Sequence, residues 1–352
     1  MKKNNVGTQT SDDSHGQEKQ LKRPANAKCG IFAVSILEHR ERVANATPTL
    51  KAESDINLLE LIVPIQNNVK IPATLYTPNE KQDSYPTLFY IPGTAFIANE
   101  SKFTHVICSH ICAKAKCQVI VINHRLAPEN QFPSGYKDTY KVFKFFIENF
   151  AHHYRIDTNR IAVSGYSSGG NFAALITIQA KQEGIAIARQ ILISPMVDLS
   201  RSLIGFENYE NKDTDISEAF VNWFLQMYIP HNVDPKDPSM SPFWQDEKNI
   251  KGMPPTDIIL AENDRFRADS EYYYMKLIHA GVLSNRFIAL GQKHSFLWHK
   301  LPVIDKFSER VMLAFKPETL HHLTPKHTLC HVKEPFSADE KEDENTAPRA
   351  KL

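Results

Sequence analysis

Six compact apolar runs recur between residues 87 and 290: "TLFYIP", "CQVIVIN", "RIAVSG", "ARQILIS", "TDIILA" and "NRFIAL". Helical patterns separate most of them. A strand with one wet face alternates apolar and polar residues, whereas unbroken apolar runs are expected where both faces are covered. Such strands pair in parallel, and a crossover helix both returns the chain and covers a face. The chain is therefore read as α/β, with a mostly parallel sheet between layers of helices. Before these runs, "INLLELIVPI" and "NNVKIPATLYTP" do alternate, which predicts an antiparallel pair at the start of the sheet.

The chain has 352 residues, 42% hydrophobic and 23% charged, ample for a large core. A formal net charge of +1 provides no global field to gather nucleic acid or a membrane surface. Five cysteines in a chain of this length do not form a disulfide framework and fit a reducing compartment. The start, "MKKNNVGTQTSDDSHGQEKQ", has no apolar segment behind its basic residues, so no secretory signal is read there. No apolar run approaches the ~18 residues of a membrane span. A cytoplasmic protein without an integral membrane segment is expected.

Residues 1–28 are polar and read as a disordered arm, and residues 317–352 as a polar, disordered tail. The tail's acid-rich block, "SADEKEDENTAPRAKL", reads as solvated disorder and also resembles acid-rich ends recognised by some bacterial export machines. Residues 29–316 then form the folded domain. Between "ARQILIS" and "TDIILA" lie about 60 residues, too many for a loop. They include "DISEAFVNWFLQMY", with Phe220, Trp223, Phe224, Met227 and Tyr228 at helical spacing. A helix packing that face on the core, or a cap over a pocket, accounts for it.

The stretch "IAVSGYSSGGNFAALITIQA" places Ser167 between Gly165 and Gly169, after a strand and before a helix. A sharp strand-to-helix turn needs small neighbours, lifts the hydroxyl clear of the sheet, and sets it over a helix N-terminus that favours negative charge. Ser167 is thus the candidate nucleophile. A serine hydroxyl needs a base to take its proton and an acid to orient that base. In such sheets these come later in the chain, after the ends of strands. Asp264 follows "TDIILA" and His294 follows "NRFIAL". Asp269 competes with Asp264, although its place in the first turn of a helix suits a capping role, and His299 is the second candidate for the base. The oxyanion donors are expected from the backbone N–H groups of Ser168 in the turn and of Gly93 and Thr94 in "IPGTAF".

Several segments together resemble the hormone-sensitive-lipase family of α/β-hydrolases, which includes acetyl esterases and arylesterases. "GYSSGGN" is similar to the family's G-D-S-A-G-G-N, and "NHRLAPENQFPSGYKD" to its D-Y-R-L-A-P-E-x-x-F-P-A segment. "MPPTDIILAENDRFR" and "GQKHSF" resemble the segments that carry the family's acid and base. The resemblance covers about residues 55–300. It implies an eight-stranded, mostly parallel α/β-hydrolase sheet flanked by helices, with a helical cap from about 29–54 and 202–252. It implies a serine hydrolase acting without cofactor on small carboxylic esters of short to medium acyl chains.

There are departures. The family's H-G-G-G is Pro92-Gly93-Thr94-Ala95 here. Pro92 cannot make the histidine's hydrogen bond but can stiffen the turn. Thr94 lacks glycine's freedom at positive φ, so the loop is expected to differ in shape, and its hydroxyl is an additional candidate donor. Ser168, Tyr166 and Arg265 stand where the family has alanine, aspartate and proline. An amidase or formamidase with the same residues is one rival reading, and a non-catalytic ligand receptor on this fold is another. His105, Cys108, His110 and Cys112, and the tail's "HHLTPKHTLCH", lack paired metal-ligand spacing and are read as structural, with no metal expected.

Overall fold

In the computed structural model the six apolar runs become the strands β3 (Tyr85–Ile91), β4 (Gln118–Ile122), β5 (Ile156–Tyr166), β6 (Arg189–Ile193), β7 (Thr256–Asn263) and β8 (Ser284–Lys293). The two alternating runs become β1 (Ile56–Pro64) and β2 (Lys70–Pro78). The structure describes residues 35–66, 68–98, 102–203, 214–299, 301–316 and 330–331. The chain divides into two units, Met1–Ser35 and Ile36–Leu352. Only Ser35 of the first is described, and every described strand and helix belongs to the second.

Among the described residues one sheet runs in the order β1-β2-β4-β3-β5-β6-β7-β8-β9. β1 and β2 are antiparallel to each other, and β2 is antiparallel to β4. From β4 through β8 all neighbours are parallel. The eight expected strands are present. The ninth, β9, is Cys330–His331, which pairs in parallel with Phe287 and Ile288 of β8. It falls within the stretch 317–352 read as tail, where two residues are too short a run to show any period. The rest of that stretch and the arm at 1–28 lie outside the described residues.

The runs of β3 to β7 are mostly apolar because both faces are used, whereas β8 is buried only at Phe287 and Ala289. Phe89, Ile120, Val163 and Leu192 enter one buried cluster with Phe143, Phe172 and Tyr273. Their neighbours Leu88, Tyr90, Val119, Ala162 and Ile191 enter the other, with Ile107, Cys112 and Phe307. Side chains alternate along a strand, so consecutive apolar residues feed opposite layers. The helices supplying those layers are α2 (Lys102–Ala115), α3 (Ser134–Phe145), α4 (Ser168–Gln182), α7 (Arg267–His279) and α9 (Leu301–Ala314). Cys108 and Cys112 lie on the buried face of α2, and the His105 ring meets the Tyr76 hydroxyl.

Two further helices belong to the segments expected to form a cap. α1 (Ile36–Asn45) buries no residue fully. α5 (Glu218–Tyr228) starts where the Ser217 hydroxyl accepts the Phe220 N–H at 3.2 Å. Its Val221, Phe224, Leu225, Met227 and Tyr228 are buried, whereas Phe220 and Trp223 are partly exposed and meet the His39 ring of α1. Among the described residues no helix is long and apolar enough to cross a membrane.

Candidate active site

Ser167 sits between β5 and α4 with φ 55 and ψ −119, a left-handed backbone rare for a residue with a Cβ. The surrounding backbone enforces this conformation. The Ser167 N–H donates to the Ile193 carbonyl (2.9 Å), and its own carbonyl accepts the N–H groups of Asn171 and Met196 (3.2 and 3.1 Å). The flanking glycines are needed for close approach. A Cβ on Gly169 would lie 2.1 Å from the Ile91 carbonyl oxygen, and one on Gly165 would lie 2.1 Å from that of Gly169. The helix beneath presents first-turn N–H groups that have no intrahelical partner.

Asp264 and His294 follow β7 and β8 and meet in a hydrogen bond, His294 Nδ1 to Asp264 Oδ2, at 2.9 Å. Both are buried. The other carboxylate oxygen of Asp264 accepts the Phe266 N–H at 2.9 Å, which locks its rotation. With Nδ1 engaged, Nε2 is the ring nitrogen left to face a further partner. Burial pushes the His294 pKa down, but the charge and hydrogen bond of Asp264, with a lesser contribution from Asp215, carry it above the ordinary value. Tyr166, the residue before Ser167, stacks on the imidazole with centroids 5.1 Å apart, and its hydroxyl donates to the His294 carbonyl at 2.6 Å. The elbow and the histidine are therefore in direct contact. The two competitors point elsewhere. Asp269 pairs with Arg201 at 2.9 Å, an ion pair in place of the expected cap, and His299 packs its ring edge on Phe103 of α2.

The loop after β3 differs from the expectation in one respect. The positive φ values fall on Ala95 (53) and Phe96 (64), and not on Thr94. Phe96 is held there by aromatic packing, stacked on Tyr228 of α5 with centroids 3.8 Å apart and planes at 7°. The Thr94 carbonyl accepts the N–H groups of Ile97 and Ala98, each at 3.1 Å. Gly93 is pressed against the elbow: a Cβ there would lie 2.4 Å from Tyr166 Cδ1. The Thr94 N–H donates to the Ser168 hydroxyl at 3.0 Å. Two of the three expected donors, Thr94 and Ser168, are thus directly linked.

A family model described as the alpha/beta hydrolase fold matches residues 88–298, more than half of the chain. The chain belongs to the hormone-sensitive-lipase-like α/β-hydrolases. It is 30% identical over 255 residues to carboxylesterase NlhH of Mycobacterium tuberculosis, covering 71% of this chain and 77% of that protein. It is 28% identical over 268 residues to the putative alpha/beta hydrolase R526 of Acanthamoeba polyphaga mimivirus, covering 76% of each. Among solved structures, the ester-hydrolase EH1AB1 from the metagenome of Lake Arreo, in complex with a bipyridine phosphonate derivative, superposes with TM-score 0.70 at 27% identity. That match covers 80% of this chain and 88% of the other.

Within this α/β-hydrolase, the departures from the family pattern have structural accounts. Tyr166 replaces a carboxylate and holds the histidine loop through its hydroxyl. Pro92 gives up a side-chain hydrogen bond, and the loop is held by the Phe96 stack and by Ala127 N–H donating to the Phe96 carbonyl at 3.0 Å. Arg265 extends from the residue after Asp264 to the start of α5, donating to the Ile216 carbonyl (2.9 Å) and pairing with Glu218 (3.0 Å). In the R-L-A-P-E segment, Arg125 grips the buried Asp138 with two bonds of 2.8 and 2.7 Å. Sequence reasoning missed two residues near the site. Arg40 of α1 donates to the carbonyls of Ile97 and Ala127 and forms a bidentate pair with Glu129, fastening α1 to the loop after β3. Asp215 accepts the His294 N–H at 3.0 Å. Neither belongs to a motif, and their partners are 50 or more residues away in the chain, so no local pattern marks them.

Proposed function

We propose that this chain hydrolyses carboxylic esters of short to medium acyl chains through an acyl-enzyme formed on Ser167. The observation that carries the reading is the 2.9 Å His294–Asp264 hydrogen bond beside a serine held at φ 55. His294, through Nε2, takes the proton from Ser167 as its oxygen attacks the ester carbonyl. Asp264 keeps the imidazole in the tautomer that leaves Nε2 as acceptor and stabilises the imidazolium that forms. The tetrahedral oxyanion is met by the backbone N–H groups of Gly93, Thr94 and Ser168, with Thr94 exchanging the Ser168 hydroxyl for the stronger, charged acceptor. His294 then protonates the leaving alcohol, and water activated by the same nitrogen releases the acid. Phe220 and Trp223, partly exposed on α5, provide an apolar surface suited to an acyl or alcohol group.

The test is turnover of p-nitrophenyl esters from acetate to laurate by wild type and Ser167→Ala. The variant is expected to lose on the order of a millionfold in rate, and equal turnover would refute the mechanism. Matched esters and amides distinguish an esterase from an amidase. Covalent labelling of Ser167 by a fluorophosphonate distinguishes either from a ligand receptor.

A further inference from the structure

The carboxylate of Asp215 makes three contacts with the segment that carries His294. Oδ1 accepts the His294 N–H at 3.0 Å, and Oδ2 accepts the Ser295 N–H at 2.9 Å. The Ser295 hydroxyl donates to Oδ2 as well. Asp215 belongs to the connection between β6 and α5, not to any strand-end loop that carries the expected machinery. The same connection also meets the other strand-end loop: Arg265, adjoining Asp264, donates to the Ile216 carbonyl and pairs with Glu218. Residues 215–218 therefore hold both the loop bearing the acid and the loop bearing the base.

We propose that Asp215 is a positioning residue for His294: it grips the backbone of the histidine loop and makes the placement of the base depend on the cap segment. The proposal rests on reading His294 as the base. A side chain that only needed to satisfy two backbone N–H groups could be a neutral acceptor. A carboxylate adds a negative charge near an imidazole that becomes positive during the reaction. The titratable groups facing His294 are Asp264 on Nδ1, Tyr166 stacked on the ring, and Asp215 at the backbone, with Phe266 packing an apolar edge. Of the two anions, Asp264 orients the ring and Asp215 fixes the main chain from which the ring projects. Tyr166 holds the opposite polar group of the same residue, its carbonyl.

The experiment compares wild type with Asp215→Asn and Asp215→Glu. It measures kcat and KM per fluorophosphonate-labelled serine, the pH profile of kcat/KM, and the His294 ring titration by NMR. An asparagine must set an NH2 group against a donor and carries no charge. It is expected to lower kcat about tenfold, the scale of a charged hydrogen bond, while KM stays within about twofold. The acidic limb and the ring titration should both move to lower pH, because the imidazolium has lost an anion. Glutamate keeps the charge but not the geometry, so kcat should fall while the limb stays in place. Asparagine with wild-type kcat and an unmoved His294 titration would overturn the proposal, leaving Asp215 as a backbone cap. Should both variants fail to fold, Ser295→Ala removes one of the three bonds and leaves the charge. It should lower kcat about threefold, and unchanged kcat would overturn the idea. If wild type is neither labelled nor active, the esterase reading fails, and the NMR titration still decides whether Asp215 acts on His294.

Discussion

Replacing Ser168 by alanine is expected to make this enzyme faster and slightly less stable. The Ser168 hydroxyl accepts the Thr94 N–H at 3.0 Å. For that N–H to meet an oxyanion, this bond must first be given up. A neutral hydrogen bond of this kind contributes about 1 kcal/mol net, which corresponds to about fivefold in rate. Alanine removes the competing acceptor, so kcat should rise by about three- to tenfold. KM should change little, because a neutral ester carbonyl engages the hole less than the charged intermediate does. The resting protein loses the same bond, so its melting temperature should drop by about 1–2 °C. The assay is steady-state hydrolysis of p-nitrophenyl butyrate, normalised by titrating labelled serine, with thermal unfolding measured in parallel. An unchanged kcat would mean that Thr94 N–H takes no part in the oxyanion hole. A tenfold fall would mean that the Ser168 hydroxyl is needed to hold the loop, and either result refutes the reasoning.

As the proposed base, His294 can accept the Ser167 proton only when neutral, and its pKa is raised above the ordinary 6.5. The kcat/KM profile should therefore rise with pH along a limb centred above 6.5; a centre at or below that value would contradict the assignment. Asp264→Asn should cost about 10⁴ in kcat and move that limb to lower pH, since the anion beside the imidazolium is gone. Far from the site, Asp257 accepts from Arg189, Arg310 and Asn285, and both it and Arg189 are fully buried. Asp257→Ala leaves a buried guanidinium without its anion and should cost about 3–5 kcal/mol in urea unfolding, with kcat of the folded protein unchanged. Gly93→Ala places a methyl 2.4 Å from Tyr166 Cδ1. The loop must shift, so kcat should fall at least ~10-fold in the same ester assay.

The strands β3 to β7 were readable because burial on both faces leaves mostly apolar runs, a signal confined to a few neighbouring residues. Ser167, Asp264 and His294 were readable for a related reason. Each lies a few residues after such a run, and the glycines around Ser167 record a close approach that no side chain survives. Thr94 shows where this kind of reading weakens. Glycine's absence there led to the expectation of a loop of different shape, and the left-handed residues are Ala95 and Phe96, with Phe96 stacked on Tyr228 from a helix more than a hundred residues later. The bond from Thr94 to Ser168 likewise joins residues 74 apart.

By itself, then, the amino-acid order determined the layered α/β architecture and the three side chains proposed for chemistry, since both are written in local periods and turn residues. Tertiary structure alone decided what surrounds those side chains. It chose Arg201 as the partner of Asp269, set Tyr166 against the imidazole, bound Arg40 to the loop after β3 and brought Asp215 to the backbone of His294. Each consists of a few polar or aromatic contacts between distant segments. A contact of that kind has no period along the chain, and it exists only once packing has brought its two ends together.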